Sequence, residues 1–331
     1  MPSRLASLLA NNRELSPEYG GGLSNHLSLG LRALSALGAS DERLSAFAAA
    51  SLPALEPLSY VHATEVTQES FARSLRRPAA FLGFRTLFER ELATLGRADA
   101  LRKYLPTLLP GIAAAGFHAL IRTAYGVRFD DDAEIADGLS YWATAFLPLG
   151  SLEEPGTQAS PRALLDQIRA FPGLGGHTLE GKLILERMQR AAELPAFPGA
   201  VAALAPGADT LAQLAALALR LYTSTGGDFT ALHTLTGAHA FRVIQPYLRA
   251  NGPGVRYLWQ AFVATYIALG APQIAEPSVA ATLPEWDEIV AAAVRSNDAH
   301  DIKLVDSARE EAAFYREPSY RYAAALRLRL V

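Results

Sequence analysis

A chain of 331 residues, 50% of them hydrophobic and 19% charged, can bury a large core and leaves little sequence for long polar tails. Its formal net charge of −3 gives no electrostatic footprint for nucleic acid or an anionic membrane surface, and the absence of cysteine excludes disulfides, a thiolate nucleophile and sulfur-ligated zinc or iron–sulfur clusters. Any metal must therefore be held by histidine, carboxylate or something less usual.

The first ten residues carry one positive charge and a short apolar run. Asn11, Asn12, Arg13 and Glu14 then follow where a secretory signal would continue, so an ordinary first helix in a cytoplasmic protein is expected. Leu23, Leu27, Gly30, Leu31 and Leu34 recur mostly at intervals of three and four, which predicts a helix ended by Gly38, with His26 inside its apolar face. Small residues from Gly111 to Gly116 precede Phe117 and His118. A glycine within a helix costs about 1 kcal/mol relative to alanine, so Gly116 there would need a packing or site-related reason. Arg122 lies one turn after His118, placed either to hold an anionic substrate group or to pair with one of Asp130, Asp131 and Asp132. That acidic run reads as an N-cap cluster for a helix over 133–146.

Gly150 to Ser160 and Pro195 to Gly207 read as irregular surface connections. Helix starts are legible at Ser160 with Pro161, at Asp209, at Asp228, and at Pro284 heading a helix over 285–295. The most apolar window, 211–222, contains Gln213 and Arg220 and falls short of the ~20 residues that cross a bilayer. Asn297 or Asp298 caps a last motif in which His300 occupies the first turn and Lys303 follows on the same face. No alternating strand pattern and no fixed-period repeat is found, so the expectation is an all-α fold, one domain over 1–331 with distant helices converging on a central pocket.

Five of the seven histidines lie in these motifs. A lone histidine on an apolar face, such as His26, is more often a hydrogen-bonded core residue than a ligand. The positive end of a helix dipole favours neutral, ligand-competent imidazole at His300. His233 and His239, six residues apart, would point about 120° from each other on a straight helix and cannot share one ion. Lys303 would have to be neutral, stand apart from the ion, or carry CO₂ as a carbamate; the alternative is a salt bridge to Asp306 or Glu310. Gly173-Leu174-Gly175-Gly176 does not complete a dinucleotide fingerprint, and no phosphate loop occurs, so a Rossmann-bound flavin or NADPH is not expected.

Four segments, Asn25-His26-Leu27, Gly116 to Arg122, Gly227 to His233 with Thr236 to His239, and Asn297 to Lys303, occur in an order and spacing that resemble the questin oxidase-like family from about residue 17 onward. The resemblance implies an oxidoreductase; better-known fungal members open anthraquinone rings oxidatively. It implies a metal centre from His26, His118, His233, His300 and Lys303. His233 is preferred over His239 because Asp228, Phe229 and His233 carry the family's Asp-Phe-x-x-x-His pattern. His239 and Arg122 would transfer protons or orient substrate. Without a flavin, oxygen activation points to non-haem iron acting with O₂ on an aromatic or quinone-like substrate, with external NADPH as a candidate reductant. Zinc-dependent hydrolysis by the same ligands, or a non-catalytic helical scaffold with buried histidines, are the alternatives.

Overall fold

A computed structural model describes residues 3–59, 64–249, 252–275 and 283–331; His62 lies outside them. Among the described residues there are seventeen α-helices and one two-stranded sheet, so the all-α expectation holds. No helix there is long and apolar enough to cross a membrane. The helices gather into two compact units, one formed by residues 1–60 with 276–331 and the other by 61–275.

The first unit joins the two ends of the chain. The Ala299–Tyr315 helix packs against Leu27–Ala36 and Ser319–Arg327, and Arg4–Asn12 and Asp41–Ser51 pack against Leu27–Ala36. Hydroxyl and carboxylate caps define the starts: Ser3 accepts from the Ala6 N–H, Ser40 from Arg43 and Asp298 from His300. Gly30 lets Phe47 close in, since a Cβ at Gly30 would stand 2.4 Å from that ring. The helix predicted from Leu23 begins only at Leu27. Leu23–Ser24 instead pairs antiparallel with Glu18–Tyr19 across Gly20, Gly21 and Gly22, all at positive φ, a backbone that glycine adopts without steric cost. His26 is thereby the N-cap residue of its helix and not a member of its apolar stripe.

In the second unit the His118–Arg128 helix packs between Asp132–Thr144 and Phe229–Ile244. Its approach to Asp132–Thr144 is backbone-close. A Cβ at Gly138 would meet the Thr123 amide at 2.6 Å, and one at Gly126 the Ile135 amide at 2.6 Å. Asp131 caps Asp132–Thr144 by accepting from Glu134, as the acidic run predicts. Ser160 caps Pro161–Ala170, and Asp228 caps Phe229–Ile244 by accepting from Thr230 and Ala231. The segment 150–160 is irregular, whereas 195–207 holds a short helix, Phe197–Ala202, because Pro198 suits a first turn where its missing N–H is not needed.

Gly116 is not inside a helix. Ala115, Gly116 and Phe117 are left-handed at φ 50°, 62° and 73°, a turn that ends where the helix begins at His118. Non-glycine residues adopt this backbone at a cost of about 1–2 kcal/mol each, so tertiary packing must hold the turn. Phe117, 1% exposed, is anchored in the core and lies against Gly237, where a Cβ would stand 2.9 Å from the ring.

Candidate metal centre

Each unit contains a pair of imidazoles whose rings lie close together. In the second, His118 and His233 have ring centroids 4.7 Å apart and their Nε2 atoms 3.1 Å apart. His118 stands at the start of its helix, and its Nδ1–H donates to the Ala115 carbonyl presented by the left-handed turn. His233 lies one turn into Phe229–Ile244, and its Nδ1–H donates to the Phe229 carbonyl at 2.7 Å. A neutral ring bonded in this way carries its lone pair on Nε2, the arrangement in which carbonyls behind metal-bound histidines fix tautomer and orientation. Two lone pairs 3.1 Å apart repel unless a proton or cation stands with them.

That separation also tests the fit of a metal. Nitrogens about 2.1 Å from one ion stand about 3.0 Å apart at a right angle and about 3.4 Å apart at a tetrahedral angle. The observed 3.1 Å lies within the range that two nitrogens held by one ion span.

In the first unit, His26 and His300 have ring centroids 4.5 Å apart. Asn25 fixes the backbone around His26: its side-chain oxygen accepts from the Leu27 N–H at 2.9 Å, while its amide donates to Asn12 and to the Ser16 carbonyl. Asp298 does two jobs for His300, accepting from its backbone N–H at 2.8 Å and from its Nδ1–H at 2.9 Å. Arg327 holds Asp298 and Asp301 in turn, at 2.6 Å each. Burial lowers the His300 pKa most, with Asp298 opposing and the Lys303 charge adding to the lowering. Desolvation is thus the chief force that pushes the imidazole toward its neutral form.

Lys303 is 3% exposed, and burial pushes its amine down to about 7, against the pull of Asp298. The charges that act on the amine are those of Asp298 and Arg327, not Asp306 or Glu310 as a sequence-level salt bridge would have it. A lysine with such a pKa is substantially neutral near pH 7, so its objection as a neighbour of a cation is weakened.

Among the described residues, His26, His118, His233 and His300 are a group that could hold a metal ion. His239 is outside it. Phe229–Ile244 runs unbroken through Gly237, so His239, though 2% exposed, points about 120° away from His233. Arg122 is buried, and its guanidinium meets Glu134 at 2.9 Å and Asp137 at 3.1 Å. Arg85 reaches the other Asp137 oxygen at 2.7 Å. The pairing foreseen with Asp130 to Asp132 belongs to Arg97 instead, which bonds Asp130 and Asp132. Arg85 and Asp137 were not legible from spacing, because their signal is their placement on neighbouring helices.

Compared with known proteins, the chain matches the family model described as questin oxidase-like over residues 23–308. No curated protein matches it.

Proposed function

The chain belongs to the questin oxidase-like family, and we propose that it is an O₂-dependent non-haem iron oxygenase acting on an aromatic or quinone-like substrate, its iron held by His26, His118, His233 and His300 together. The His118–His233 pair carries this proposal, because both rings would present Nε2 at a separation that two nitrogens on one ion can span. Iron, when bound, supplies the one-electron chemistry through which O₂ can react with a closed-shell ring.

The chain's own residues prepare that centre. Ala115, Phe229 and Asp298 hold the Nδ1 protons of His118, His233 and His300, which leaves each Nε2 as the donor atom. Lys303 is proposed as the fifth ligand in carbamate form: its neutral amine adds to CO₂, a C–N bond forms, one proton leaves to solvent, and the new carboxylate supplies an oxygen of the charge that a cation prefers. Arg122 is assigned a positioning role, since its ion pairs fix the helix that begins at His118. His239 is the candidate proton carrier, a buried imidazole on the His233 helix that ligates nothing in this scheme.

The test is metal analysis of protein purified without chelator, joined to O₂ uptake with an anthraquinone substrate before and after chelation. Iron at about one per chain, with uptake lost on chelation and restored by ferrous ion, is the expected result. Zinc without O₂ uptake contradicts it in favour of hydrolysis. Metal-free protein contradicts any metal chemistry.

A further inference from the structure

Phe229 is a large apolar side chain left 45% exposed, although it begins a helix that is otherwise almost entirely buried as far as Phe241. Its ring is not splayed into solvent at random. It stands edge-on to the His233 imidazole, with centroids 4.6 Å apart and planes at 65°. Its backbone is fixed as well, because Asp228 caps the helix at 2.7 Å and 3.0 Å, immediately after Gly226 and Gly227 turn the chain at positive φ.

One residue thus does two separable things. Its carbonyl accepts the His233 Nδ1 proton and orients the imidazole, while its ring flanks the same imidazole and keeps much of its surface accessible. The orienting function needs only the main chain, so it does not explain an aromatic side chain. Core packing does not explain one either, since the residue is 45% exposed.

We infer that the Phe229 ring is a stacking platform for a planar aromatic substrate beside the His118–His233 pair, an inference that rests on the oxygenase reading proposed above. Phenyl and quinoid rings attract through offset or edge-to-face contact, and a ring that meets His233 on one side while its residue stays 45% exposed offers that contact. Leucine would retain bulk and apolarity at this site but not the π-face.

The experiment titrates iron-loaded protein with a soluble anthraquinone sulfonate and compares the unmodified chain with Phe229→Leu and Phe229→Trp. The expected result is a Kd raised about fivefold to tenfold by Phe229→Leu and changed less than about threefold by Phe229→Trp, in line with the strength of aromatic pairs. Iron content and helicity are expected to stay at the unmodified level in both variants, because the main-chain carbonyl remains. An unchanged Kd in Phe229→Leu overturns the platform and leaves the oxygenase reading standing. Loss of iron from Phe229→Leu also overturns it, by making the ring part of the metal's own support. An unmodified chain that holds iron but does not bind the anthraquinone overturns the platform and the proposed substrate class together.

Discussion

Lys303 concentrates the chemistry that a single residue can decide. A buried amine pushed down to about 7 is a competent nucleophile toward CO₂ near neutral pH, whereas an exposed lysine is overwhelmingly protonated there. On the proposed scheme Lys303→Ala removes an oxygen ligand while the four imidazoles stay. Iron content should fall, and short-chain carboxylates such as formate or acetate should restore part of it; iron retained in full by Lys303→Ala would take this residue out of the centre. Asp298 matters through His300. Replacing Asp298 by alanine removes both the cap and the Nδ1 acceptor, and is expected to cost about 1 kcal/mol of stability and about 10–100-fold in metal affinity. Titration of iron into chelated protein measures the second quantity, and unaltered affinity would show that the imidazole needs no orienting carboxylate. Both positions were legible in the motif Asn297 to Lys303, because an N-cap followed by a histidine and a lysine three residues on has only one helical arrangement. What the motif could not disclose was the cause of the His300 shift, since burial is set by packing and not by local spacing.

At the level of elements, caps were read well and turns poorly. Ser160, Asp228 and Asp298 announce their helices because a short polar side chain before an apolar run satisfies amides that nothing else can reach. The turn 115–117 was misread as helix interior, since the alanines 113–115 suit a helix and left-handed φ leaves no mark on composition. The two-residue hairpin at Glu18–Tyr19 and Leu23–Ser24 is too short to produce an alternation, and only the three glycines between its strands hint at it. The ion-pair network that ties His118–Arg128 to Asp132–Thr144 and Phe81–Leu95 was equally hidden. Asp137, with its carboxylate wholly buried between Arg85 and Arg122, is its centre. Asp137→Ala would leave two buried guanidinium groups short of a counter-charge, and breaking a buried pair in this way costs about 3–5 kcal/mol. Urea unfolding should show a midpoint lowered accordingly; a loss under about 1 kcal/mol would mean that the network contributes little to stability.

Across the whole molecule, helical periodicity gave the fold class, because amphipathic spacing is repeated along the chain and, among the described residues, no strand of useful length competes with it. The division into two compact units, one assembled from both ends of the chain, was not visible, since its boundaries coincide with neither of the two proline- and glycine-rich connections. The proposal of one iron held by His26, His118, His233 and His300 makes a statement about stoichiometry that spacing alone could not. The most direct measurement is iron per chain in the unmodified protein, in His118→Ala and in His300→Ala, each with helicity verified. One ion shared by both pairs predicts about one iron per unmodified chain and nearly complete loss from either variant, because removing a ligand from one pair empties the same site. Two irons per unmodified chain, with each variant retaining one, would contradict a single centre.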